Sequence, residues 1–447
     1  MSKKHNVSRR NFLKTAAAVP PAVLAFPYVK TAYSAGSLAI GLWDHWVPGA
    51  NEATTALINE WSKAENVEVK LDYITSQGRK LLLTWAAEAQ AKSGHDVMSF
   101  STWYPAQFND SLEAMNDVVD DMIKENGPVN GTVTYMGKLD GKWMAAPMTA
   151  GSQMKGPCSR IDLMKQHAGL DIQAMYPVGK PPQADDWNLE TFMKAAKACH
   201  AGGNPIGIGL GVTSDSVDSV GAIFAAHGAH LVNEKGDITV DTPEVEAALN
   251  YMAEIGAYFA PDAPAWDDSS NNKWLVSGRG AQIWNPPSAW AVAVRDAPDV
   301  ANQLWSHGAP KGPAGRFAPF LPFYLGVWEF SPNKSAAKSL VRFLSEKDSA
   351  QRMVEASKGY DIPAYAELTS FDTWEKVGPP PGTLYHYPDP YNHQTLSVSG
   401  APAPHKIAQQ MFTQGTLTKM TVRMMQGEKM KDTLAWAESE IEGFMRE

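Results

Sequence analysis

Three clusters of aromatic and hydrogen-bonding residues, each directly behind an apolar run, are the most chemically telling part of this chain. They are Trp43-Asp44-His45-Trp46, Thr75-Ser76-Gln77 and Ser101-Thr102-Trp103-Tyr104. Flat rings offer apolar faces for stacking, and carboxylate, imidazole and amide groups exchange directed hydrogen bonds. Together they suit a polar, ring-shaped ligand. Trp43 continues the preceding strand pattern and reads equally as core, and Asp44-His45 reads equally as a turn with a solvated carboxylate. Asp215 and Ser216 are further hydrogen-bonding candidates, with a helix N-cap as the equal alternative. Fifteen Trp and 14 Tyr are more polar-edged rings than a core needs, so some of them are expected to face a ligand.

Catalytic signatures are missing from the sequence. There is no nucleophile elbow, HExxH, phosphate loop or EF-hand spacing. Gly207-Ile208-Gly209-Leu210-Gly211 lacks the spacing of a dinucleotide fingerprint. An acid and base need no motif, so an exported lyase or glycosidase using Asp44 and Asp361 is the enzyme alternative. The expectation is a binding protein with no catalytic residue, no cofactor and no metal; Asp44-His45 and Tyr385-His386 are only partial ligand sets. Cys158 and Cys199 cannot supply a four-thiolate zinc site, and whether they form a disulfide is open. The net charge of -9 gives no support for a nucleic-acid or anionic-membrane surface, so no nucleic-acid partner is expected.

The elements that must position these residues follow from periodicity. Leu38 to Trp43 reads as a buried strand, Asn51 to Glu65 as an amphipathic helix, Val67 to Ile74 as a strand, Arg79 to Ala91 as a helix and Val97 to Phe100 as a strand. This alternation implies a parallel sheet covered by helices, with ligands at the carboxyl ends of its strands, where the three clusters stand. The pattern recurs: Trp187 to His200 helical, Ile206 to Val212 a Gly-rich strand, Val217 to His227 helical. Thr242-Pro243-Glu244 caps a further helix. Tyr324 to Phe330 reads as a strand, Ser335 to Ser345 and Lys419 to Met445 as helices, and Gly378 to Pro404 as irregular. At 447 residues, 44% of them hydrophobic, the chain can fill two α/β lobes.

Ahead of these elements, Ser8-Arg9-Arg10-Asn11-Phe12-Leu13-Lys14 is a twin-arginine export signature. An apolar stretch from Thr15 to Phe26, broken by Pro20 and Pro21, precedes Ala32-Tyr33-Ser34-Ala35, with cleavage expected after Ser34 or Ala35. The stretch is too short and too broken to span a bilayer. Residues 1–34 therefore read as a signal peptide recognised by the Tat machinery, and the mature protein as periplasmic and folded before export.

Several motifs occur in an order that resembles one family. They are Asp140-Gly141-Lys142-Trp143-Met144-Ala145-Ala146-Pro147, Ser159-Arg160-Ile161-Asp162-Leu163, Val276-Ser277-Gly278-Arg279-Gly280-Ala281-Gln282-Ile283-Trp284-Asn285, Ser331-Pro332-Asn333-Lys334-Ser335-Ala336-Ala337-Lys338, Gly359-Tyr360-Asp361-Ile362-Pro363 and Gln426-Gly427-Glu428-Lys429. They resemble the extracellular solute-binding proteins of carbohydrate importers, the group that includes maltose-binding and glycerol-phosphate-binding proteins. The resemblance implies a two-lobe periplasmic binding protein fold of type II, with a hinge and an interlobe ligand cleft. Lobe 1 would comprise 35–147 and 306–367, lobe 2 148–305 and 368–447, with crossings near Pro147 to Ala150, Gly308 to Pro310 and Tyr365 to Ser370. It implies a monomer that binds a small carbohydrate and docks on the transmembrane subunits of an ABC permease.

Sugars present apolar C–H faces rimmed by hydroxyls, so on this resemblance Trp46, Trp103 and Tyr104 would stack, while Asp44, His45, Gln77 and Thr149 would hydrogen-bond. In the second lobe either Trp284 or Trp290 would stack, beside Asn285, Asp215 and Ser216. Phe323 and Tyr324 replace a small-residue pair usual in the family, which narrows the cleft toward a mono- or disaccharide. Tyr360 and Asp361 would reach the ligand. Arg79, Arg160 or Arg316 could instead meet an anionic group, which keeps a glycerol phosphodiester or an acidic sugar open.

Overall fold

A computed structural model describes residues 36–446. The twin-arginine signature and the cleavage region lie outside the described residues. The first elements are β1 (Ser37–Trp43), α1 (Ala50–Glu65), β2 (Glu68–Ile74), α2 (Lys80–Ala91) and β3 (Val97–Ser101). All of β1 is buried. It needs to be, because β1 is sandwiched between β2 and β3, parallel to both, with helices on the faces. In α1 the buried positions Thr54, Leu57, Ile58 and Trp61 recur at helical spacing.

Further along come α3 (Gly131–Gly137), β4 (Ala146–Met154), β5 (Cys158–Arg160), α4 (Leu189–Ala201), α5 (Ser214–His227), α6 (Pro243–Gly256), α7 (Ser270–Val276), β6 (Gln282–Ile283), α8 (Pro286–Asp296), β7 (Leu304–Ser306) and β8 (Phe317–Val327). The chain ends with α9 (Lys334–Leu344), α10 (Lys347–Ala356), β9 (Thr395–Ser397), α11 (His405–Gln414), α12 (Thr416–Met425) and α13 (Met430–Arg446). The larger sheet has the order β9, β8, β3, β1, β2, with β4 also paired to β8. A second sheet runs β6, β5, β7, antiparallel throughout. The architecture is thus α/β with two lobes, as the alternation implied.

Two strands tie the lobes together. β4 and β8 are antiparallel, and their register breaks between Leu321 and Phe323. On one side of the break Tyr324 to Val327 pair with β3; on the other Phe317 to Pro319 pair with β9. Gly151 lies at the break with φ 96, and a Cβ there would sit 2.8 Å from the Phe323 ring, so only glycine fits. Trp187 Nε1 donates to the Gly308 carbonyl, and the buried Arg316 guanidinium binds the carbonyls of Ala309, Trp187 and Ala184. Those bonds tie the segment from Gly308 to Arg316 to Ala184 and Trp187.

Local signals set most helix starts. Asn188 accepts the Thr191 amide ahead of α4, Thr213 the Ser216 amide ahead of α5, and Thr242 the Val245 amide ahead of α6. Two expectations change. The stretch from Ile206 to Val212 makes only isolated bridges, Ile206 with Phe259 and Gly207 with Ile283, because its glycines bring no side chain to pack. The terminal helix is two, α12 and α13, parted at Gly427, where φ is 87. Cys158 and Cys199 are both buried and free.

Candidate functional site

Between the lobes lies a cleft of about 530 Å³. From the first lobe Ser76, Gln77 and Arg79 line it behind β2, and Tyr104 behind β3, with Trp85 of α2. From the second come Gly211 to Thr213 ahead of α5 and Ser214 at its start, Trp266, Asp267 and Asp268 ahead of α7, and Phe412 and Thr413 of α11. The Tyr104 ring is braced by Trp85, centroids 4.7 Å apart, and Trp85 Nε1 is fixed on the Ser99 carbonyl. Asp267 is fixed too: its Oδ1 accepts the Ser269 amide and the hydroxyls of Ser269 and Ser270.

Behind the second-lobe wall is a buried polar cluster. Lys155, with no exposed surface, donates to Asp215 Oδ1 at 3.1 Å and to Asp218 Oδ2 at 2.6 Å. Asp215 Oδ2 accepts Asn271 at 2.9 Å and Asn285 at 3.0 Å. Burial by itself would lower the Lys155 pKa, but the two carboxylates outweigh it and raise it. One ammonium cannot neutralise two carboxylates, so burial, aided by Asp215, still pushes Asp218 up to about 6. Asp268 is pushed up to about 7 by burial and then by Asp215.

At the hinge, Asp361 Oδ1 accepts the Gly151 amide at 2.7 Å and His45 Nε2 at 3.0 Å. His45 Nδ1 takes the Val47 amide at 2.9 Å, which leaves the imidazole proton on Nε2, facing Asp361. Trp43, His45, Phe323 and Tyr360 pack as an aromatic box, with Trp43 centroids 4.8 Å from His45 and 5.0 Å from Phe323, and His45 4.7 Å from Tyr360. Tyr360 Oη and Asp361 Oδ2 are buried there without a partner.

Gln77 and Tyr104 stand on the cleft wall, as their strand-end positions suggested. Asp215, Ser216 and Trp284 line a small polar cavity with Asn271 and Trp266, and Asn285 joins it through Asp215. His45, Phe323, Tyr360 and Asp361 meet at the hinge, with Thr149 buried in β4. Other candidates lie elsewhere. Trp103 is fully buried; its Nε1 donates to the Ser399 carbonyl at 3.0 Å and its ring meets Tyr135 edge-on at 5.3 Å. It clasps the lobes instead of presenting a face to the cleft. Tyr324 turns away and donates to the Val133 carbonyl. Trp284 and Trp290 are both buried, and Trp284 Nε1 is spent on Gln282 Oε1, so neither offers the open face expected. Asp44 is exposed and bound to Asn51, and Trp46 packs half-buried on the core. Arg160 is forked onto Asp162 and Arg316 is buried among carbonyls, leaving Arg79 as the arginine on the wall.

Trp266, Asp267, Asp268, Trp85 and Phe412 were not singled out from the sequence. A signal was present in Ala265-Trp266-Asp267-Asp268, an aromatic beside two carboxylates directly ahead of a Ser-Ser helix start.

A family profile described as bacterial extracellular solute-binding protein matches residues 56–377. No curated protein matches the chain by sequence. Among solved structures, maltose-bound MalE3 of T. maritima aligns at 17% identity with TM-score 0.69, covering 90% of this chain and 99% of that one. A sugar transporter from Arthrobacter chlorophenolicus A6 with bound laminaribiose aligns at 15% identity with TM-score 0.72, covering 91% and 99%. An ABC transporter solute-binding protein from Thermotoga lettingae TMO bound with α-D-tagatose aligns at 16% identity with TM-score 0.70, covering 91% and 99%. The structural likeness carries the fold, and the profile spans well over half of the chain: it belongs to the bacterial extracellular solute-binding protein family.

Proposed function

We propose that this protein captures a small carbohydrate between its two lobes and delivers it to the permease of an ABC importer. The observation that carries the reading is the cleft of about 530 Å³ whose walls come from both lobes and combine rings with directed polar groups. Its volume suits a mono- or disaccharide, and the fold relatives hold sugars of that size. Lobe 1 is assigned to 35–147 and 306–367, and lobe 2 to 148–305 and 368–447. The paired strands β4 and β8 would bend at Gly151 as the lobes move.

The export route in this reading is the twin-arginine pathway, with cleavage near Ser34 or Ala35 and a periplasmic monomer as product. An anionic solute fits less well, because Asp267 and Asp268 stand opposite Arg79. The family consists of binding proteins, and the reading assigns no bond-breaking step to any residue. A thermal-shift screen of the mature protein against neutral, amino and acidic sugars tests the proposal. A ligand at a hundred times its dissociation constant should stabilise the fold by ~2.7 kcal/mol. No shift from any sugar would refute carbohydrate capture, and turnover of a hit would replace it with catalysis.

A further inference from the structure

The second-lobe wall carries more negative charge than the protein balances. Asp215 and Asp218 share Lys155, Asp267 has Lys273 of α7 near it, and Arg79 is exposed on the opposite wall. Asp267 is accounted for by the start of α7. Asp268 is only partly so: Thr213 hydrogen-bonds its carboxylate, but its Oδ1 is buried and accepts no hydrogen bond. Asn285, only 4% exposed, gives its amide to Asp215 and likewise leaves Oδ1 without a partner. The orphan on the cleft wall, Asp268 Oδ1, is an acceptor, and stranding a buried acceptor is costly, so the occupant that completes this wall must bring a donor. A bare metal ion does not answer the need: among the described residues no three His, Cys, Asp or Glu side chains could hold one. An organic cation does.

We propose that the captured solute is a carbohydrate bearing a protonated amine, such as an amino sugar, whose ammonium pairs with Asp268. The inference rests on the carbohydrate-capture reading and narrows its substrate class. Asp268 is faced by Thr213 and Asp215 at the start of α5, by Lys155 just after β4, by Asp267 on its own loop, and by Tyr104 and Arg79 across the cleft. Burial, and then Asp215, push its carboxyl up to about 7. An ammonium alongside would favour the ionised form, so binding an amine would expel a proton. A neutral sugar would not.

The test uses matched trios, each an amino sugar, its N-acetyl derivative and the neutral parent: glucosamine, galactosamine and mannosamine with theirs. Titration calorimetry near neutral pH, in buffers of different ionisation enthalpy, reads affinity and proton release together. The amine should bind at least ~10-fold tighter than its N-acetyl and neutral counterparts and release a net fraction of a proton that those counterparts do not. Asp268→Asn should abolish both preference and release; removing this charge relieves repulsion with Asp215, so the variant should fold, and the proton count on the unaltered protein needs no variant. Equal binding of a neutral or N-acetyl member, or no proton release, overturns the amine assignment and leaves carbohydrate capture standing. No binding by any sugar removes both.

Discussion

Replacing Lys155 by methionine keeps most of the side-chain stem and deletes the ammonium held between Asp215 and Asp218. Asp215 retains Asn271 and Asn285, whereas Asp218 keeps no cation. Breaking a buried pair from one side costs about 3–5 kcal/mol. That cost should depend on pH. Asp218 titrates at about 6 with the ammonium present. Without it, burial and Asp215 act unopposed and the value climbs. Between the two values the folded variant holds one proton more than the folded wild type, so each unit of falling pH should return about 1.4 kcal/mol. From about pH 8 to about pH 6 the recovery is then at most ~2.7 kcal/mol. Urea unfolding followed by tryptophan fluorescence reads this directly, provided the m-value is unchanged. Adding Asp218→Asn to Lys155→Met should recover most of the loss at the alkaline end, because the unpaired charge goes with it. A Lys155→Met protein within ~1 kcal/mol of wild type at every pH, or a penalty that ignores pH, would refute the buried triad.

Trp103→Ala should cost about 3–5 kcal/mol for the vacated ring, while Trp103→Phe should lose roughly 1 kcal/mol with the bond to the Ser399 carbonyl. Because that bond joins the lobes, small-angle scattering of the ligand-free alanine variant should show an expanded particle; an unchanged radius would contradict the clasp. His95 meets Glu88 Oε1 at 2.6 Å and Asp72 Oδ2 at 3.2 Å, and although burial works against it, these carboxylates raise its pKa. Its contribution to stability is therefore complete below the unfolded value of about 6.5 and is lost as pH rises through the higher folded value. His95→Gln should flatten stability across that window in denaturant titrations, and an unaltered pH profile would count against the bridge. Burial pushes the Cys158 thiol up to about 12 and the Cys199 thiol up to about 11, so neither should react with a thiol reagent near pH 8 until the protein unfolds. Fast labelling of the native protein would show that one of them is open to solvent.

The opening β1-α1-β2-α2-β3 series was readable almost residue by residue, since hydrophobic period is a local property. Helix starts at Asn188, Thr213 and Thr242 were readable for the same reason: a cap bonds to an amide three residues on. Gln77 and Tyr104 reached the cleft because strand ends point there in any parallel sheet. Trp103 follows the same strand and shares the same chemistry, yet it is buried. Its partner, Ser399, is 296 positions away, and nothing near Trp103 announces it. Trp266-Asp267-Asp268 went unnoticed for the converse reason: a loop acquires meaning only from the wall it is brought to face.

Residue types and their spacing determined that this chain builds α/β lobes, where the first lobe's strands end, and that rings and polar groups cluster at those ends. Which rings face solvent and which carboxylates share one lysine were decided by tertiary structure. Periodicity acts over a few residues through backbone geometry, whereas burial and charge pairing depend on groups that only folding brings within reach.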